Sequence, residues 1–379
     1  YEDFEVLIVS LDRFENASSS NFEDETLYLS DTSVVKNKIS FSGSTRIKTK
    51  LPSEGVYRFR FKGTMSNAVK VCEEGKKRLY WGDMHIHTKL SFDGQGDNPY
   101  NYAREVSGLD FASAADHWES LGRIGYDTLK KWNEEANRDG VFVSIPADER
   151  NPHELTGHHN VYFRDADTMN SCEAVVANPA SRPDSMDFFK ECDPSKVMII
   201  PHHTGISFSE ITQAGKTGTA VVWDAHDDRG MRPLIEIYSH HGQSELYSPQ
   251  HILSYEFNRM RNPERRANSS VPGPYYAQDY WMAGKRIGVI ASSDEHSGQG
   301  GRTHGGITAV SAEKLSRNDI FDSLLKRNCY ATTGERILME FKIDDIEMGK
   351  VGKREKGQEI KISLNVWGTN LLIRVEIMR

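Results

Sequence analysis

Between residues 79 and 336, short apolar runs alternate with helix-like stretches. The apolar runs are Leu109 to Ala115, Val141 to Ile145, Val197 to Ile200, Leu234 to Tyr238, Ile287 to Ala291 and Ile307 to Val310. Strands alternating with helices build parallel βα arrays, in which nearly continuous apolar strands are covered on both faces. The helix signals agree. Asn98 can cap a helix with Pro99 at its first position and Gly108 just past its end. A second helix is expected from about Tyr126 to Asp139, before Gly140, and Ser316 can cap a third that carries Ile320, Phe321, Leu324 and Leu325 on one face.

Towards both ends the pattern changes to short alternating stretches, Val6 to Val9 and Val56 to Phe61 on one side and Ile360 to Val366 on the other, the rhythm of antiparallel β structure. The expected organisation is a β-rich segment over 1–78, an α/β domain over 79–344 and a C-terminal β segment over 345–379. Tyr57, Phe59 and Phe61 alternate on one face and need a partner surface. The two end segments are therefore expected to form one accessory β-sandwich, with the apolar alternation Leu371 to Ile377 supplying part of it. The alternative is two unrelated β appendages.

The chain has 379 residues, 47 Lys plus Arg against 55 Asp plus Glu, and a net charge of −8. No basic run is long enough to track a nucleic-acid backbone, which argues against polymeric nucleic acid as a partner. No apolar run approaches the roughly 18 residues that a membrane-spanning helix needs. The four cysteines show no CxxC spacing, and their positions leave a Cys172–Cys192 disulfide open. The sequence starts at Tyr1 without Met, which fits either a periplasmic or secreted bacterial protein that has lost its signal peptide or a cytoplasmic one.

The histidines narrow the chemistry. Of 14, ten lie at or just beyond strand ends: His85, His87, His117, His158, His159, His202, His203, His240, His241 and His296. A parallel array presents its chemistry there, because the loops after the strands converge on one mouth. In Asp83-Met84-His85-Ile86-His87 the period of two puts both imidazoles on one face. Asp116-His117 ends an apolar strand, where burial is costly unless a cation or partner satisfies both groups. Glu149 lies just beyond another strand, placed to bridge two cations. Pro201-His202-His203 follows an apolar strand, and so does Asp294-Glu295-His296, in which Asp294 and His296 share a face. Mixed imidazole and carboxylate ligands suit Zn, Mn or Fe better than Ca or Mg, which prefer oxygen. His153, His226 and His251 lack strand-end context and are read as loop or surface residues.

The ordered set His85-Ile86-His87, Asp116-His117, Glu149, His158 or His159, His202 and Asp294-Glu295-His296 resembles the successive motifs of the polymerase and histidinol phosphatase (PHP) superfamily. Within it the chain is most similar to the DUF3604 branch, through Leu79 to Thr88, Gly157 to Phe163, Glu236 to Glu245 and Cys329 to Gly334. The resemblance implies a distorted (β/α)7 PHP-type barrel, up to three metals and phosphoester hydrolysis. It also implies Asp93, in Ser91-Phe92-Asp93-Gly94, as a further ligand. It favours His158 over His159 and His202 over His203, whereas strand alternation does not choose.

The expected ligands are thus His85, His87, Asp93, His117, Glu149, His158, His202, Asp294 and His296. Arg150, His241, Arg302 and His304 are candidates for holding phosphate oxygens, with His241, Arg302 and His304 expected to act in catalysis. Arg offers a planar fork matched to phosphate, and Arg302 and His304 lie in a glycine-flanked loop. The expected activity is hydrolysis of a small-molecule phosphomonoester or phosphodiester by water activated at two or three divalent metals. The alternatives are a metal hydrolase of amides or glycosides and a non-catalytic, metal-braced binding protein.

Overall fold

A computed structural model of the protein describes residues 4–73, 75–150, 157–176, 192–208, 230–257, 268–303 and 305–377. The chain divides into two compact units, one made of Tyr1–Arg78 with Glu335–Arg379 and the other of Leu79–Gly334. It is a mixed α/β protein in which strands predominate.

The first unit is all β. Asn21–Leu29 pairs with Val34–Ser42 and Phe59–Phe61, Phe4–Val9 pairs with Ser44–Thr49, and Gly55–Tyr57 pairs with Val69–Val71. These ladders share an apolar core of Leu27, Ile39, Ile47, Leu51 and Phe59, with Tyr57 and Phe61 packed against it. The C-terminal segment contributes its own sheet, in which Leu338–Ile343 pairs along its whole length with Ile362–Trp367. It meets the N-terminal segment through Arg58 Nη1, which donates to the Thr369 carbonyl at 2.8 Å, and through Lys70, which pairs with Glu340 and lies over the Trp367 ring. That ladder places the second boundary at Gly334/Glu335, earlier than the 344/345 expected. The strand expected over Leu371–Ile377 is not formed. These residues belong to no described ladder and Ile373 is 97% exposed, because an apolar alternation makes a strand only where a neighbour pairs with it.

In the second unit a five-stranded sheet runs in the order Val143–Ser144, Phe111–Ala114, Arg78–Ile86, Ile307–Ala312, Cys329–Thr332, and its first three strands are parallel. Ala147–Arg150, His159–Phe163 and Val197–Pro201 form an antiparallel sheet, and Leu234–Ser239 runs parallel to Gly288–Ala291 in a third. Single parallel bridges join His117 to Glu149 and Ile86 to Glu295. The strands expected from sequence are therefore present, in separate ladders rather than one continuous parallel array. Met84, Phe111, Val143, Ala147, Tyr162, Met198, Ile200, Leu234, Ile290 and Val310, drawn from all three sheets, form one core.

The first helix is shorter than its signals suggested, Tyr100–Glu105, with Asn98 Oδ1 accepting from the Tyr100 amide. The second starts earlier, Trp118–Ala136, and kinks at Gly122, whose positive φ hides the first turn from a periodicity search. Ser316 caps Arg317–Leu325 by accepting from the Asp319 amide. The side chain of Cys172 lies outside the described residues, and with it the Cys172–Cys192 pairing. His153, His226 and His304 also lie outside them. Among the described residues no helix is long and apolar enough to cross a membrane.

Candidate metal centre

Strand periodicity carries the core up into the site. Residues facing the apolar core are followed two positions later by polar ones, Ala115 by His117, Ala147 by Glu149, Ile200 by His202 and Leu234 by Glu236. On the antiparallel strand the direction reverses, from Tyr162 back to His158. The polar side chains therefore gather in one layer above the core.

Glu149, 1% exposed, lies at the middle of that layer. Its Oε2 faces His87 Nε2 at 3.0 Å and His85 Nε2 and His117 Nδ1 at 3.4 Å, and its Oε1 faces His158 Nδ1 at 3.0 Å and His202 Nε2 at 3.1 Å. Asp294 stands opposite. Its Oδ1 is 3.4 Å from His85 Nε2 and 3.3 Å from His87 Nε2, and its Oδ2 is 3.1 Å from His241 Nε2. Asp294 adopts the left-handed backbone, φ +54°, which Asp tolerates better than most residues and which turns the chain here. Asp93 Oδ2 lies 3.3 Å from His117 Nε2 and 3.2 Å from His296 Nε2. Potential donor atoms fall into overlapping groups, each within 4.8 Å: His87, Asp93, His117 and His296; Glu149, His158, His202 and His203; His85, His87 and Asp294; His203, His241 and Asp294; and His240, Asp294 and His296.

Two hydrogen-bond arrangements orient the HxH pair. Ser91 Oγ has one hydrogen, which goes to Asp116 Oδ1 at 2.8 Å because an ionised carboxylate only accepts. Its lone pairs then take the His117 backbone N–H and His87 Nδ1–H, each at 2.9 Å. In its neutral form His87 is thereby left with a bare Nε2. His85 Nδ1 faces Glu236 Oε2 at 3.3 Å and, donating to it, likewise leaves Nε2 bare. The two Nε2 atoms are only 3.0 Å apart and both face the carboxylates of Glu149 and Asp294. With both rings neutral these are four electron-rich atoms with no hydrogen between them, and they repel unless a proton or a cation lies among them. Ligand atoms sharing a tetrahedral cation with bonds of roughly 2.0–2.1 Å are about 3.3 Å apart, close to the spacings found.

The proton balance shows the same demand for positive charge. Burial opposes ionisation of His85 and His87, yet Asp294, Glu236 and Glu149 outweigh it, so His85 is held well above its usual value and His87 rises to about 10. For Glu149, burial is overcome by His117, His202 and His158, and its carboxyl stays well below the usual range. His202 is pushed down to about 3, burial outweighing Glu149, so it is a neutral donor. Burial raises Glu236 to about 7. Imidazoles and carboxylates poised in this way fit divalent transition metals.

All nine expected ligands meet in this layer, and His241 joins them through Asp294. His158 rather than His159 faces Glu149, while His159 Nδ1 donates to the Gly157 carbonyl at 3.0 Å. Arg150 is a correction. It is buried, with Nε and Nη2 donating to Asp148 at 2.7 and 2.9 Å and the Trp118 ring against its guanidinium, so the fork expected to take phosphate is engaged by a carboxylate. The loop carrying Arg302 is anchored by the Gly301 amide on Asp83 at 2.8 Å and by Ser107 Oγ on the Gly300 carbonyl at 2.8 Å. Glu236, Ser91, His203 and His240 were not singled out as site residues. For Glu236 the signal was an acid inside an apolar strand, two residues beyond the core residue Leu234.

Residues 285–344 match the family model described as a protein of unknown function, DUF3604. Uncharacterized proteins of Chlamydia pneumoniae and Chlamydia trachomatis are 40% and 39% identical over 78 and 82 residues, in each case 20% of this chain and 13% of the relative's length. Among solved structures, a two-domain protein from Bacteroides vulgatus containing a predicted PHP-like metal-dependent phosphoesterase is similar at 19% identity and a TM-score of 0.42, over 70% of this chain and 67% of that one. A candidate metal-dependent phosphoesterase from Bifidobacterium adolescentis is similar at 12% identity and a TM-score of 0.27, over 57% of this chain and 88% of that one. The family match spans Asp294-Glu295-His296, the last motif of the ordered set, and takes in 60 of the chain's 379 residues.

Proposed function

We propose that this chain is a metal-dependent hydrolase of small soluble phosphoesters, working from a di- or trinuclear centre of Mn, Zn or Fe, and that its ladders are arcs of a distorted seven-stranded barrel. The observation that carries the multinuclear reading is Glu149, whose two oxygens face separate sets of imidazoles and so suit it to bridging two cations. His85, His87 and Asp294 would hold one cation, Glu149, His158 and His202 a second, and Asp93, His117 and His296 a third. Bound there, divalent cations lower the pKa of water toward neutrality and offset charge on phosphoryl oxygens.

The remaining work belongs to the side chains. His85, His202 and Glu149 are sealed at the base, whereas the Asp93, His296, His158 and His241 side chains are 36%, 21%, 19% and 13% exposed, which makes their rim the side open to substrate. Ser91 and Glu236 hold the HxH rings so that Nε2 points inward. His241, at the rim, and Arg302, with His304 two residues on, are the groups we assign to the non-bridging phosphate oxygens. The phosphoester class itself rests on the resemblance of the ordered motifs to those of the PHP superfamily.

A panel of phosphate mono- and diesters, amides and glycosides, tested with Mn²⁺, Zn²⁺ or Fe²⁺ added, decides the reading. The expected outcome is metal-dependent release of phosphate or cleavage of a phosphodiester, lost on chelation and in Asp294→Ala. Cleavage confined to amides or glycosides would overturn the phosphoester assignment, and failure to bind at least two equivalents of metal would overturn the multinuclear one.

A further inference from the structure

We propose that Phe92 is a stacking platform for the organic part of the substrate, so that the preferred phosphoesters carry a planar aromatic or heteroaromatic ring close to the phosphate. The proposal rests on the phosphoester reading above and adds the substrate class. Phe92 is 72% exposed, yet its ring stacks on that of His117 with centroids 4.6 Å apart and planes 21° from parallel. One face covers a proposed metal ligand and the other is open to solvent, at the rim where Asp93 is also exposed.

The loop holding this ring is built to stay in place. The Lys89 amide donates to the Gly96 carbonyl at 2.8 Å and the Gln95 amide to the His296 carbonyl at 2.6 Å. A Cβ at Gly94 would lie 2.0 Å from the Thr88 carbonyl oxygen, and one at Gly96, where φ is +84°, 2.2 Å from that of Ser297, so the turn depends on glycine at both positions. The neighbours on either side are already engaged, Ser91 with His87, His117 and Asp116, and Asp93 with His117 and His296. Single exposed apolar residues are ordinary on protein surfaces. A phenyl ring stacked on an imidazole of the metal layer, on a fixed turn and open on its far face, is instead placed to take a second ring. Offset-stacked aromatic pairs favour this geometry.

The test uses phenylphosphonate and methylphosphonate, which share a hydrolysis-inert phosphorus–carbon bond and differ in the ring. Calorimetry on the metal-loaded protein should show phenylphosphonate binding about tenfold tighter, the upper range of one aromatic pair. Phe92→Ala should bring the ratio of the two affinities close to one, and Phe92→Trp should restore it. A ratio near one in the unaltered protein, or a ratio unchanged in Phe92→Ala, would overturn the platform alone. Equal weakening of both ligands in Phe92→Ala would overturn it in favour of a shield over His117. If neither phosphonate binds, the platform and the phosphoester reading fall together.

Discussion

Replacing Ser91 by alanine removes one oxygen from a point where three partners meet. Asp116 would keep the Thr88 amide and hydroxyl, at 2.6 and 2.9 Å, and lose little. The His117 backbone N–H and His87 Nδ1–H would each be left buried without the acceptor they now have at 2.9 Å. An unsatisfied buried donor costs about 1–3 kcal/mol, so the pair should cost roughly 2–6 kcal/mol. For a domain of some 150–250 residues that corresponds to a fall in Tm of roughly 4–24 °C. A second effect is separable from the first. Without Ser91, nothing fixes the His87 tautomer, and Nε2 carries a hydrogen part of the time. Removing the group that orients a metal-binding histidine weakens metal by roughly 10–100-fold, and that loss is expected here. Melting of the chelated protein reads the first effect, and competition against a chromophoric chelator reads the second. If Ser91→Ala melts early but binds metal within about twofold of the unaltered protein, well short of that range, Ser91 anchors a loop and the tautomer argument is wrong.

Chelation should destabilise the protein more as pH rises. The folded pKa of His87 is lifted to about 10, above its unfolded value near 6.5, so the stability its proton gives the metal-free protein is complete below about pH 6.5 and fades as pH climbs through about 10. Metal takes the place of that proton and needs neutral imidazole, so the Tm gap between loaded and chelated protein should widen from about pH 6 to about pH 9, and a gap that narrows would contradict the proposed ligands. Arg302→Ala should lower kcat/KM on the best phosphoester by on the order of a hundredfold or more with metal content unchanged, and wild-type turnover would remove Arg302 from the mechanism.

Much of the second unit was legible because period-two alternation survives folding. The apolar runs ending at Ala115, Ile200 and Ala291 became strands, and the polar residues beyond them continued onto one layer. Where the reading failed, the deciding contact was distant in sequence. Leu338–Ile343 belongs to the first unit because Ile362–Trp367 pairs with it, and Leu371–Ile377 stays outside any ladder although its alternation is as regular. The start of the second helix was hidden by Gly122.

The two doubled histidines show why ligands were easier to find than to rank. His158-His159 and His202-His203 look alike in sequence, and both follow or open a strand. His159 lies in the ladder opposite Pro201, so alternation turns it away from Glu149, and burial with the Arg232 charge keeps it neutral. At His203 the backbone enters the left-handed region, φ +33°, the strand ends, and the ring stays beside His202 with centroids 4.3 Å apart. The first pair therefore supplies one donor to the layer and the second supplies two, one toward Glu149 and one toward His241 and Asp294. Residues that act through another side chain leave still less trace. Glu236 meets His85 across 151 positions, and only the cost of burying a carboxylate in Leu234–Ser239 marks it beforehand. That cost has a consequence for the site. Burial raises the Glu236 carboxyl to about 7 although His85 works against that rise, so the Nδ1 hydrogen that favours the ionised carboxylate also aims the His85 Nε2 at Glu149 and Asp294.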